Sequence, residues 1–198
     1  MKKITFALSV LVFIACGDTE KTNSEEIITD TTTATEEMEK PAIEITQVEV
    51  SATPILYVEE QAKLEDDSIA LKLGEAYGEI MAFVGVNKLE MAGAPLALTR
   101  EFSMEEMFWA FNAAIPVSVP ENIELIGRIK SGETYQGNAV KAIHIGDYSE
   151  SMATYDAIDK YIKENNLEVN GQPWEEYIDD PSKVAKEELR TFIYFPIK

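Results

Sequence analysis

Near its C-terminal end the chain reads GQPWEEYIDDP, residues 171–181, with two carboxylates set between a tryptophan and a tyrosine. Side chains alternate along a strand, so Pro173, Glu175 and Tyr177 share one face and Trp174, Glu176 and Ile178 the other. Trp174 and Ile178 suit a core, which turns Glu175 and Tyr177 to the opposite face. A carboxylate beside aromatic rings can hold an apolar cation. The acid supplies charge and the rings supply flat walls, with an attraction of up to about 2 kcal/mol when dry. A solvated strand face carries the same residue types, and that alternative stays open on these residues alone. Tyr135, Tyr148, Tyr155, Phe108 and Trp109 are further aromatics that could line such a site or fill a core.

Other reactive residues are few. His144, the only histidine, sits on a strand-like run just before Gly146, where bonding to backbone is the simplest role. Three or four ligands at metal-binding spacing are not visible, so neither a metal nor another cofactor is expected. There is no Gly-x-Ser-x-Gly turn and no phosphate-binding glycine loop. Cys16 is the only cysteine, which excludes an intramolecular disulfide. It follows two lysines and an apolar run from Ile4 to Ala15. That run fits a secretory signal and is too short for a stable membrane span. Its end resembles a bacterial lipobox, with Phe13 where leucine is usual. The expectation is a lipoprotein signal peptide at 1–15, lipid on Cys16, and a place in the bacterial cell envelope, anchored to a membrane leaflet that stays open.

The elements that must position Glu175 lie further along. The chain has 198 residues, 45% of them apolar, and a formal net charge of -19. Such charge repels nucleic acid and anionic lipid headgroups, so no nucleic-acid partner is expected. Residues 17–40, GDTEKTNSEEIITDTTTATEEMEK, hold eight acids and two lysines. That composition cannot offset chain entropy by burial, so 16–40 reads as a flexible tether and 41–198 as the folded domain.

Within 41–198 the sequence matches itself at an offset of 78 residues. Tyr77 meets Tyr155, Ile80 meets Ile158, Asn87 meets Asn165, Gly93 meets Gly171 and Pro95 meets Pro173. Matches of Asn, Gly and Pro are telling because these residues punctuate turns. Each copy, 54–117 and 124–198, reads as a strand, a helix of about 18 residues by its apolar period, then two strands. In the first helix Ile69, Leu73, Tyr77, Ile80 and Val84 recur at helical spacing; in the second Met152, Tyr155, Ile158 and Ile162 do. Asp66 to Ser68 and Ser149 are candidate N-caps. The expected fold is α+β: duplicated β-α-β-β units related by a pseudo-two-fold. Their strands form an antiparallel or mixed sheet with two helices and a central groove, the kind of junction where small molecules bind.

HIGDY at 144–148, GQPWEEYIDDP and RTFIYFPI at 190–197, with LGEAYGEI at 73–80 and AAIPVSV at 113–119, come in an order that resembles a known family. It is the GyrI-like small-molecule-binding domain, also called the AraC-type effector-binding domain, over residues 41–198. The resemblance implies a groove for apolar, often cationic molecules. Its aromatic–Glu–x–Tyr pattern falls on Trp174, Glu175 and Tyr177, so Glu175 rather than Glu176 is the implied pocket acid. Trp109 and Tyr148 join Glu175 and Tyr177 as the expected ligand-binding residues. Some relatives hydrolyse strained cyclopropane rings. The alternative function is therefore a hydrolase of reactive small molecules, with Glu175 as general acid/base beside Tyr177.

Overall fold

The computed structural model describes residues 42–64, 68–118 and 123–198. The expected signal, Cys16, the tether and the candidate caps Asp66 and Asp67 lie outside these residues. The elements in chain order are β1 (Glu44–Val50), β2 (Pro54–Lys63), α1 (Ser68–Asn87), β3 (Leu96–Ser103) and β4 (Phe108–Pro116). They continue as β5 (Lys130–Glu133), β6 (Gly137–Ile145), α2 (Met152–Glu164), β7 (Trp174–Tyr177) and β8 (Arg190–Pro196). Short 3-10 turns occupy Tyr148–Glu150 and Lys186–Glu188.

Local chemistry explains the helices and their ends. On α1, Ala76, Ile80, Phe83 and Val84 are buried; on α2, Thr154, Ile158 and Ile162 are. Both helices stop in a Schellman motif. In α1 the Leu89 N–H donates to the Val84 carbonyl and Lys88 N–H to Gly85; in α2, Leu167 donates to Ile162 and Asn166 to Lys163. Lys88 and Asn166 take the left-handed conformation this motif needs, at φ 54° and 51°. The Asn87 and Asn165 amides donate to the Phe83 and Tyr161 carbonyls one turn back. The expected cap Ser149 instead lies in the 3-10 turn, where Asp147 is the cap and its side chain accepts from the Ser149 N–H. α2 begins after that turn, and Met152, expected on its apolar stripe, is exposed.

Among the described residues eight strands form one sheet in the order β1-β6-β8-β7-β3-β4-β2-β5, and each of their pairings is antiparallel. The two expected strand–helix–strand–strand units are present as β2-α1-β3-β4 and β6-α2-β7-β8. β1 and β5 are additional, and they sit at the two edges. The sheet cannot be flat. In a flat sheet β5 and β6 would stand six strand spacings apart, about 29 Å at about 4.8 Å each. Residues 134–136 join them, and such a link spans at most about 14 Å. The sheet therefore curls until its two sides approach, and residues 51–53 make the matching crossing from β1 to β2.

The helices pack on the same face of this sheet. α1 covers Leu56, Val58, Ala97, Phe111, Ala113 and Ile115; α2 covers Val140, Ala142, Ile193 and Ile197. The opposite face holds its own cluster, with Ile55, Leu96 and Ala114 from one side meeting Ala139, Trp174 and Tyr194 from the other. Several contacts recur between the units: a Cβ at Gly93 would meet Pro116 and one at Gly171 would meet Pro196. Isolated bridges link Met91 to Val117 and Val169 to Ile197.

Candidate functional site

The centre of the sheet is the seam between β3 and β7, where Ala97 stands opposite Glu175. The row through this pair runs Ala113, Ala97, Glu175, Ile193, Ala142. Its apolar members pack under α1 on one side and under α2 on the other. Glu175 thus lies on the helix-bearing face, between the strands that α1 covers and those that α2 covers. Trp174 faces the other way, where its ring stacks on Tyr194 at 4.7 Å and 5°. Glu176 goes with it and accepts from the Tyr194 hydroxyl at 3.0 Å.

Tyrosines surround the Glu175 carboxylate. Tyr155 of α2 donates to Oε1 at 2.7 Å, and Tyr177 donates to Oε2 at 2.6 Å. Tyr148 meets the Tyr177 ring edge-on at 5.5 Å. Tyr77 of α1 donates to the Leu96 carbonyl at 2.9 Å, which sets its ring against the seam. Burial pushes the Tyr77, Tyr155 and Tyr177 phenols well above their ordinary value, and the negative charge of Glu175 adds to the shift in each. Tyr148 is raised first by burial and then by negative charge, that of Asp179 acting most strongly and Glu175 next. These phenols stay neutral donors over the physiological range. The site is one acid, held by hydroxyls, with rings around it. Among the described residues no ion pair engages Glu175, and no group of three His, Cys, Asp or Glu is placed to hold a metal.

Of the expected residues, Glu175, Tyr177 and Tyr148 come together. Trp109 does not join them: its indole N–H donates to Thr99 Oγ1 at 3.0 Å and its ring lies 4.5 Å from Phe111. It shares the helix-bearing face but is buried in the α1 cluster. Tyr135 packs against Trp174 on the opposite face, at 5.7 Å, and Phe108 alternates away from Trp109 along β4. Tyr155, one of the wider set of aromatics, proves to be a direct partner of Glu175. Tyr77 was marked as part of the first helix's apolar stripe and by its match to Tyr155, and that match was the signal available for the site. His144 bonds Thr154 and the Asp147 backbone, as its position suggested.

The family model of the GyrI-like small-molecule-binding domain matches residues 43–198, and the chain belongs to that family. No curated protein matches it significantly. Among solved structures, the fold is shared with the EcmrR–DNA complex at 20% identity and a TM-score of 0.67, over 79% of this chain and 57% of that one. The chain thus spans little more than half of that protein's length. The EcmrR C-terminal domain alone matches at 21% identity and a TM-score of 0.61, over 79% of this chain and 98% of its own. SAV2435 bound to tetraphenylphosphonium matches at 13% identity and a TM-score of 0.55, over 78% of this chain and 94% of that one.

Proposed function

We propose that this GyrI-like domain binds apolar organic cations in the groove between α1 and α2, with Glu175 as the counter-charge. The carrying observation is that two phenols hold Glu175 in place and no ion pair among the described residues meets its charge. Tyr148 and Tyr177 supply flat walls on which a cation gains up to about 2 kcal/mol when desolvated. SAV2435 was solved with such a cation, tetraphenylphosphonium. The geometry favours binding over proton transfer, because both carboxylate oxygens already accept hydrogens from neutral phenols. Glu175→Gln keeps the shape and removes the charge, so it should weaken tetraphenylphosphonium binding at least tenfold, about 1.4 kcal/mol. Glu176→Gln, on the far face, should leave affinity within twofold. Equal affinities for the wild type and both variants would end this reading.

Two further parts of the proposal concern the rest of the chain. The units 54–117 and 124–198 are copies of one ancestral unit, a reading supported by the sequence offset and by the matched glycine–proline contacts. The domain is carried on an acidic tether and anchored in the bacterial envelope by lipid on Cys16. The support is the apolar run that ends at this cysteine. Cys16→Ser should abolish acyl labelling and release the protein from the membrane fraction; a variant that is cleaved and still sediments with membranes would refute the anchor.

A further inference from the structure

We infer that His144 is a positioning residue for the groove: it clamps the 146–150 turn and so sets Tyr148 against Tyr177. This rests on the groove reading above. His144 is 2% exposed, yet both ring nitrogens are engaged. Nε2 lies 3.0 Å from the Asp147 carbonyl oxygen. A carbonyl only accepts, so Nε2 carries the hydrogen. Nδ1 then accepts from the Thr154 hydroxyl, also at 3.0 Å. Thr154 is itself buried on α2. One imidazole thus ties β6, the turn and α2 together at the residue just before Tyr148.

The turn also carries its own 3-10 bonds, from the Glu150 N–H to the Asp147 carbonyl at 2.9 Å and from the Ser151 N–H to the Tyr148 carbonyl at 3.2 Å. Gly146, at φ 134°, reverses the chain and donates its N–H to the Leu189 carbonyl at 2.9 Å. Asp147 is held by Ser149 and Lys186 near the surface. Tyr148 is 39% exposed, so burial alone does not fix its ring. The fold does not itself demand histidine at this place. Ile55 pairs with Pro116 and Ala139 pairs with Pro196, and counting five residues on from each reaches Glu60 and His144. Glu60 is also buried, but it binds Lys72 and Arg128 through charge. The imidazole belongs to the half that carries Tyr148, Tyr155, Glu175 and Tyr177.

The test combines hydrogen–deuterium exchange of the folded domain with titration by tetraphenylphosphonium. In His144→Leu, amides 146–150 should exchange at least tenfold faster and affinity should fall at least fivefold. His144→Gln, whose amide can still donate to the Asp147 carbonyl, should restore both to near the wild-type values. Because the effect runs through Tyr148, His144→Leu should cost nothing further in a Tyr148→Ala background. Unchanged exchange at 146–150, or losses that simply add, would overturn the assignment. If the leucine variant does not fold, Thr154→Val carries the same comparison, since it removes the bracing hydroxyl at constant volume. A wild type that ignores the phosphonium overturns the groove reading, and the exchange data then decide the role of His144 alone.

Discussion

At the scale of residues, the groove depends on phenols that stay protonated. Tyr77, Tyr155 and Tyr177 have folded-state values well above the ordinary phenol value, first because they are buried and then because Glu175 is near. In the unfolded chain these phenols ionise near pH 10. Above that pH the unfolded state binds fewer protons than the folded state, so stability must fall as pH rises. The contribution is fully present below about pH 10 and is lost on the way to the folded values. Each such phenol adds a slope of up to about 1.4 kcal/mol per pH unit in that window. Urea midpoints measured from pH 8 to 11 should be flat and then drop, and Tyr155→Phe should make the drop shallower. A drop of the same steepness in Tyr155→Phe would show that this phenol does not titrate as its surroundings require. The orientation of Glu175 was legible in sequence because alternation is strict along a strand and Trp174 had to be buried. The misplacement of Trp109 was not avoidable in that way. An aromatic on the correct face reaches the groove or the core according to what its neighbours, here Thr99 and Phe111, offer it.

At the scale of elements, the strands that were legible are those with a buried face. β2, β4, β6 and β8 alternate or run apolar, and their ends carry Gly or Pro. β5 reads KSGE and is exposed throughout, so it has no hydrophobic period to detect. β1 buries Ile45, Val48 and Val50 only partly, and their spacing breaks strict alternation. Both are edge strands: β5 is recruited by the open backbone of β2, while β1 also packs Ile45, Val48 and Val50 against the core clusters. The glycines before β3 and β7 give a test of the matched architecture. A Cβ at Gly93 would stand 3.2 Å from Pro116 Cγ, and one at Gly171 would stand 3.3 Å from Pro196 Cγ. Both prolines are buried, and their rings have little freedom to yield. Overpacking of this kind costs about 1–3 kcal/mol, against a gain of about 0.4–1 kcal/mol from a stiffer unfolded chain. Gly93→Ala and Gly171→Ala should each lose about 1 kcal/mol in urea unfolding, with values alike to within about 0.5 kcal/mol. A gain in one and a loss in the other would mean that the two contacts are not energetically equivalent.

At the scale of the whole molecule, the two units are laced together so that neither should fold alone. β1 precedes the first unit in the chain but pairs with β6 of the second, while β5 follows the first unit and pairs back onto β2. The seam between β3 and β7 joins them at the centre, and the cluster on the face away from the helices takes residues from both. Cutting the chain after β4 would strip β1 from β6 and leave β5 without a partner strand. It would also open the groove, because Tyr77 lies on one unit and Glu175 on the other. One cooperative transition is therefore expected for residues 42–198. The protein supplies its own reporters: Trp109 lies in the cluster under α1, and Trp174 in the cluster on the opposite face. Trp174→Phe leaves a probe of the first unit, and Trp109→Phe leaves a probe at the seam strand of the second. In each variant, tryptophan fluorescence and far-ultraviolet circular dichroism should give the same urea midpoint to within about 0.2 M. Residues 124–198 expressed alone should lack dispersed amide resonances. If fluorescence of either single-tryptophan variant instead changes well before the circular dichroism, or the excised half folds, the units are independent domains and the groove is a contact between them rather than a product of one fold.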